Sequence, residues 1–185
     1  SRAEWDELKT DTLPKLTGKL YAGIKFSTDG TSCALAVACR TKDNAIFVEA
    51  IGCHPTRDGS GWLLDFLSKA DLAAVAVDGA SGQQLLADAM KAAHLRSPVL
   101  PTVKQVITAN AAFEQALFAQ ALCHAGQPGL AQAASNCEKR AIGSNGGFGY
   151  RSLTEGGHIE LLDSVILAHW QCAEGKGKRR QRIRY

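Results

Sequence analysis

Residues 19–53 read KLYAGIKFSTDGTSCALAVACRTKDNAIFVEAIGC, and this stretch decides the fold. Three runs rich in β-branched, aromatic and small apolar residues are separated by two short runs of turn formers, TDGTS and TKDN. Strand-like runs joined by such short turns predict antiparallel neighbours in sequence order. The stretch therefore predicts a three-stranded meander.

After the meander, helical and extended patterns alternate along the chain. The wholly apolar run LAAVAV, residues 72–77, predicts a strand buried on both faces. Helical spacing of apolar residues is found at 60–70, 81–95, 107–126 and 158–173, and a further strand is predicted near 97–103. This order predicts a mixed α/β fold, with the antiparallel meander joined by parallel strands and flanked by helices.

Length and charge divide the chain into three parts. At 185 residues with 45% hydrophobic content, it can bury one full core. We place that core in residues 19–174, after a polar lead-in, residues 1–18, and before a basic tail, residues 175–185, whose composition predicts disorder. The tail holds six of the 21 Lys and Arg residues, so the rest of the chain has a net charge of −3. This is not the profile of a uniformly basic nucleic-acid binder.

Cysteine usage and hydropathy indicate a cytoplasmic protein. The six cysteines form no C-x-x-C pair, which fits reduced thiols in a reducing compartment. No apolar run approaches the roughly 18 to 20 residues needed to cross a bilayer, and the first residues have no apolar signal region. We expect neither secretion nor membrane insertion.

Three acids fall where the elements should converge. Asp29 follows the first predicted strand, Asp78 ends the buried strand, and Asp163 interrupts the apolar face of the last helix. Ligand sites in open α/β sheets lie beyond the carboxyl ends of strands. Gathered carboxylates repel one another, and divalent cations such as Mg²⁺ neutralise them. Two such ions about 3.5 to 4 Å apart clamp the oxygens of a phosphodiester displacement. The acids therefore predict two cations, Mg²⁺ or Mn²⁺.

Each acid also has a simpler role when it is taken alone. Asp29 fits a hairpin turn in which its side chain bonds its own backbone. Asp78 fits a helix cap in the turn DGASG, and Asp163 fits an ion pair with a Lys or Arg. Only the ordered set of three favours the metal site.

Basic residues near these acids are candidates for phosphate contact, although a solvated surface explains them equally well. Lys25 shares the strand alternation of Asp29, and the glycine-rich GSNGGFGY lies between two arginines. The candidate DNA-binding residues are Lys25, Arg140, Arg151, Lys178, Arg179 and Arg180. His124 and His169 lack a metal-ligand spacing and are expected to be structural.

The stretches YAGIKFSTDGTSCALAVA, VAVDGASGQQLL and ELLDSVILAHW resemble the three acidic motifs of the nuclease domain of bacteriophage large terminase subunits. The likeness extends over about residues 20–171. It implies a ribonuclease H-like fold and metal-dependent cleavage of double-stranded DNA during viral genome packaging in the host cytoplasm. It also implies that Asp29, Asp78 and Asp163 are the metal ligands and catalytic residues. The first acid of the wider superfamily lies inside strand one, at a position nearer Lys25 here, so Asp29 departs from that pattern.

The resemblance also implies partners outside this chain. Large terminases resemble ATP-driven motors, but this sequence has no G-x-x-x-x-G-K-[ST] loop. We therefore expect an excised carboxyl-terminal domain, with residues 1–18 as the linker from an ATPase domain and with portal and small terminase subunit as further partners. Two alternatives stay open: a catalytically silent module that docks on those partners, and half of an actin-like or sugar-kinase-like ATPase.

Overall fold

The computed structural model of this protein describes residues 1–144 and 146–175. Within these residues the strands are β1 Leu16–Phe26, β2 Ser32–Thr41, β3 Ile46–Pro55, β4 Leu72–Asp78, β5 Leu122–His124, β6 Cys137–Ile142 and β7 Gly147–Ser152. The first five form one sheet in the order β4-β1-β2-β3-β5, and β6 and β7 form a separate hairpin. Strands β1, β2 and β3 pair antiparallel, whereas β4 joins β1 and β5 joins β3 in parallel. The predicted meander with parallel neighbours is confirmed.

Helices cover both faces of the sheet. In the described residues they are α1 Arg2–Asp6, α2 Gly61–Lys69, α3 Gln83–Ala92, α4 Val103–Phe118, α5 Pro128–Ser135 and α6 Glu160–Glu174. One face of the sheet packs with residues of α2 and α3, and the other packs with residues of α1, α4, α5 and α6. The predicted mixed α/β fold is confirmed. None of the described helices is long and apolar enough to cross a bilayer, and all six cysteines are free thiols.

Strand β1 and helix α6 pack unusually closely. Alternation along β1 turns Ala22 and Ile24 toward the face of α2 and α3, and it turns Gly23 toward α6. A Cβ atom on Gly23 would lie 2.1 Å from the backbone oxygen of Ser164 and 2.6 Å from the backbone nitrogen of Ala168. Only glycine permits this close approach of the two backbones. The approach places the first turn of α6 near the carboxyl end of β1.

Two predicted elements differ from the observed ones. The helix predicted over 107–126 ends at Phe118, and the chain reverses through Gln120, whose φ is +52°, into β5. The strand predicted near 97–103 is reduced to a bridge between Val99 and Ala76. Pro98 and Pro101 flank Val99 and have no backbone N–H to extend the pairing.

Part of the lead-in belongs to the core. Trp5 is 1% exposed and Leu8 is 5% exposed, and both pack in the cluster under α6. The expectation that residues 1–18 lie outside the core is therefore wrong for these side chains. Strand β1 also begins at Leu16, three residues before the predicted boundary. The interpretation of this segment as a linker stays a prediction.

Candidate active site

The carboxyl ends of β1 and β4 meet at one edge of the sheet. Because these strands are parallel neighbours, Lys25 and Asp78 are register partners. Lys25 Nζ donates to Asp78 Oδ2 at 2.6 Å, and the two side chains are only 21% and 18% exposed. The acid at the end of the buried strand is thus paired with a cation from the neighbouring strand.

Asp163 lies in the first turn of α6, within electrostatic reach of this pair. Burial raises the pKa of Asp163 to about 7, and the negative charges of Glu160 and Asp78 add to the rise. The positive charges of Lys25 and Arg140 oppose it. Among the described residues, no hydrogen bond is made to the Asp163 carboxylate. The structure therefore brings two of the three predicted acids, Asp78 and Asp163, to one site with Lys25.

Glu160 is a site residue that sequence reasoning missed. Its side chain is only 10% exposed. Oε2 accepts a hydrogen bond from Ser32 Oγ at 3.0 Å, and Oε1 lies 3.1 Å from His158 Nδ1. Glu160 precedes Asp163 by three residues, a spacing that places both on one helix face. That spacing was the signal by which Glu160 could have been found.

Asp29 lies in the turn between β1 and β2, where it is 56% exposed. Its Oδ1 accepts hydrogen bonds from Ser27 Oγ at 2.7 Å, from Thr31 N at 3.0 Å and from Thr31 Oγ1 at 2.7 Å. These bonds, first that from Ser27, lower the pKa of Asp29 to about 2. His158 Nε2 lies 3.9 Å from Oδ2. Asp29 thus borders the site, with its carboxylate engaged by its own turn.

A cleft of about 340 Å³ runs between the sheet edge, the start of α6 and the β6–β7 hairpin. Lys25, Asp29 and Asp163 line it on one side. Arg140 and Arg151 line it from the hairpin, where Arg151 Nη2 is paired with Glu138 Oε1 at 2.7 Å. Three of the six predicted DNA-binding residues therefore face the cleft of the acids; Lys178, Arg179 and Arg180 lie outside the described residues.

The two histidines singled out from the sequence pack in the core. His124 stacks on Trp5 with ring centroids 4.1 Å apart, and His169 meets the Phe113 ring edge-on at 5.5 Å. Burial lowers the pKa of both imidazoles, that of His169 to about 4. These contacts agree with the expected structural role.

The donors at the cleft have the chemistry that a hard divalent cation requires. Asp78, Asp163 and Glu160 offer carboxylate oxygens, the ligand type that hard divalent cations prefer. Within residues 1–144 and 146–175, however, no three or more His, Cys, Asp or Glu side chains are arranged so that they could hold an ion together. The residue types therefore suit a divalent cation. The side-chain arrangement does not, because Lys25 already occupies the Asp78 carboxylate.

Comparison with known proteins gives a result at the level of the fold. No family model matches the sequence, and no curated protein matches it significantly. Among solved structures, the HK97 bacteriophage large terminase matches with a TM-score of 0.70 and 16% identity over 92% of this chain. The match spans 43% of the HK97 chain, so this chain corresponds in length to less than half of that protein.

Isolated nuclease domains match over nearly their whole length. The large terminase nuclease of thermophilic phage G20c with bound magnesium has a TM-score of 0.59 and 14% identity, covering 91% of this chain and 95% of that one. The human cytomegalovirus terminase nuclease domain, soaked with Mn, has a TM-score of 0.54 and 13% identity, covering 96% of both chains. The resemblance drawn from the sequence is confirmed for the fold.

Proposed function

We propose that this chain is the nuclease domain of a viral large terminase, a divalent-metal-dependent endodeoxyribonuclease that cuts double-stranded DNA during genome packaging. The observation that carries the proposal is that Asp163, which lines the cleft, lies within electrostatic reach of Asp78 and of its partner Lys25, on a fold similar to terminase nucleases. Magnesium bound in the G20c structure and Mn in the cytomegalovirus structure support a divalent cation here. Mg²⁺ and Mn²⁺ are the cations proposed.

The chain's own residues hold and neutralise charge in this proposal. Asp78 and Asp163 bind the cation, with Glu160 as a further oxygen ligand. Asp29 borders the cleft as a partner of these ligands, because Ser27 and Thr31 engage its carboxylate; a direct role in a two-cation site would require that carboxylate to leave its turn. When bound, the cations supply a water of lowered pKa and neutralise charge that develops on the phosphate. No side chain of the cleft is assigned the role of a covalent nucleophile.

Basic side chains orient the DNA backbone. Lys25, Arg140 and Arg151 line the cleft and contact phosphate oxygens, and Arg151 gives up its pair with Glu138 to do so. The basic residues of the tail, among them Lys178, Arg179 and Arg180, add a contact that is insensitive to DNA sequence. In the full protein the partners are an ATPase domain, portal and small terminase subunit, in the host cytoplasm.

Plasmid nicking tests the proposal. Wild type should cut supercoiled plasmid with Mn²⁺ or Mg²⁺ and not with EDTA. Asp78→Asn should lose at least about 100-fold in rate, because even an outer-shell partner of a metal ligand contributes 10- to 100-fold. Asp71→Asn is the matched control, since Asp71 precedes the same strand and pairs with Lys19 at an exposed site. Equal cutting by wild type and Asp78→Asn would remove the nuclease assignment.

One observation favours a second candidate function. Lys25 already neutralises the charge of the strand-end acid Asp78, so the fold needs no cation there. In that case the domain is a silent module that docks on portal or small terminase subunit. Wild type would then leave plasmid intact with every divalent metal, and purified portal or small subunit would bind it.

A further inference from the structure

Two Lys–Asp pairs join β1 and its neighbour β4, and they differ sharply in exposure. At the far end of the strands, Lys19 and Asp71 lie 3.2 Å apart, with side chains 57% and 79% exposed. At the cleft, Lys25 and Asp78 lie 2.6 Å apart, with side chains 21% and 18% exposed. Water and salt screen the first pair strongly and the second pair much less.

We propose that Lys25 is a lock on Asp78: it occupies the carboxylate that the cation needs, and a DNA phosphate releases it. The inference rests on the nuclease function proposed above and names how that site is restrained. A divalent cation that approaches Asp78 meets an ammonium group already bonded to Oδ2. Either the ammonium group moves away from Asp78, or the two positive charges repel each other in a partly buried site where water screens them weakly.

Lys25 has somewhere to go once DNA is present. Its side chain lines the cleft together with Arg140, so a phosphate in the cleft lies within its reach. A lysine side chain is a point charge on a flexible four-carbon stem with three donors, and it can exchange one anionic oxygen for another. Asp163 lies within electrostatic reach of Lys25, Asp78 and Glu160, and these three acids together attract the cation after Lys25 departs.

The lock couples metal binding to DNA binding. A phosphate that binds the Lys25 ammonium would free Asp78 to bind a cation. A cation bound at Asp78 would likewise free Lys25 to bind phosphate. By linkage each ligand must strengthen the other by the same factor. The domain alone therefore binds metal weakly and becomes competent when duplex enters the cleft.

Calorimetric titration of Mn²⁺ into the full 185-residue chain without DNA tests the lock directly. Lys25→Met should bind Mn²⁺ at least about tenfold more tightly than wild type, a change of about 1.4 kcal/mol. Lys25→Arg keeps a cation on Asp78 and should bind as weakly as wild type. Lys19→Met removes the same charge from the same strand at the exposed pair and should stay within about twofold of wild type.

A second titration tests the coupling. With a short phosphorothioate duplex present, wild type should bind Mn²⁺ more tightly than without it, whereas Lys25→Met should show little further gain. Equal Mn²⁺ affinity of wild type and Lys25→Met without DNA would overturn the lock, and Mn²⁺-dependent plasmid nicking by wild type would show that the nuclease function still stands. If neither variant binds Mn²⁺ and wild type does not nick plasmid, both proposals fall.

Discussion

The two ends of helix α6 lie in different surroundings. Its first turn presents Asp163 and Glu160 to the cleft, and its later turns bury His169 and Trp170 in the core. Burial acts on a titratable group at each end: it raises the pKa of Asp163 to about 7 and lowers that of His169 to about 4. Both shifts favour the neutral form.

The difference between the ends lies in what surrounds each group. The His169 ring meets the Phe113 ring edge-on, and burial together with the positive charge of Arg40 disfavours the protonated imidazole. Asp163 faces Lys25 and Arg140, which oppose the rise of its pKa, across a cleft open to solvent. The surroundings of the core end therefore favour the neutral imidazole of His169. At the cleft end an ionised Asp163 lowers stability, and a bound cation would offset that cost.

The largest expected effect comes from separating the whole helix from the sheet. Gly23→Ala would place a Cβ atom 2.1 Å from the Ser164 oxygen and 2.6 Å from the Ala168 nitrogen, so the backbone of α6 must move away from β1. We expect the free energy of unfolding to fall by about 3 kcal/mol or more. Gly61→Ala, where an added Cβ meets nothing within 4 Å, is the control and should be close to neutral. Urea unfolding of both variants measures this, and an unchanged midpoint for Gly23→Ala would show that the helix yields easily.

Asp163→Asn breaks the cleft end alone. An acid whose folded pKa is raised from 3.8 to about 7 holds its proton longer in the folded state, so it lowers stability as pH rises from about 4 to about 7. Asn removes that loss. At pH 8 in EDTA the variant should be more stable by roughly 2 to 4 kcal/mol, because one pKa unit corresponds to about 1.4 kcal/mol.

The gain should vanish below pH 4, where Asp163 is protonated in both states. Plasmid cutting should be lost in the same variant. Asp65→Asn removes an exposed carboxylate paired with Lys69 and should change stability by less than about 0.5 kcal/mol. Unfolding curves at pH 4 and pH 8 decide the matter: a variant that is less stable than wild type at pH 8 would mean that Asp163 is stabilised in its charged form.

His169→Leu breaks the core end, and the sign of its pH effect is opposite. A histidine whose folded pKa is lowered from 6.5 to about 4 favours the unfolded state as pH falls through that interval, since only the unfolded chain takes up the proton. Wild type should therefore lose roughly 2 to 3 kcal/mol from this group between pH 7 and pH 4. His169→Leu should remove this loss of stability between pH 7 and pH 4 and leave the pH dependence that comes from Asp163 unchanged. If His169→Leu and wild type lose the same stability between pH 7 and pH 4, the loss belongs to other groups.

Sequence patterns predicted which elements meet at the cleft end of α6, but they did not predict the side-chain contacts made there. The meander, the buried strand and the last helix followed from periodicity, and Asp78 and Asp163 lie where those elements end and begin. The Lys25–Asp78 pair did not follow, because it depends on the register of two strands whose paired residues are 53 positions apart. Alternation indicated only that Lys25 faces the site, and no local pattern states which partner it meets.

The parts of the core that were missed share one property: no local signal marks them. Trp5 and Leu8 stand singly among polar residues, so no periodicity indicates that they are buried. Helix α4 stops at Phe118 although no glycine or proline follows before Gly126, because Gln120 adopts the left-handed conformation that glycine usually supplies. In these places tertiary packing overrides local preference.

The smallest expected effect belongs to Asp29, which borders the cleft without depending on α6. Asn retains the oxygen that accepts from Ser27 and Thr31, so Asp29→Asn should keep the turn and melt at nearly the wild-type temperature. Asp29→Ala loses all three bonds and should melt lower. Because the carboxylate is 56% exposed and engaged by its own turn, we expect Asp29→Asn to reduce plasmid cutting by about tenfold, the lower end for partners of metal ligands. A loss as complete as that of Asp163→Asn, with the melting temperature unchanged, would instead show that the Asp29 carboxylate leaves its turn to bind the cation and that the cleft needs three acids.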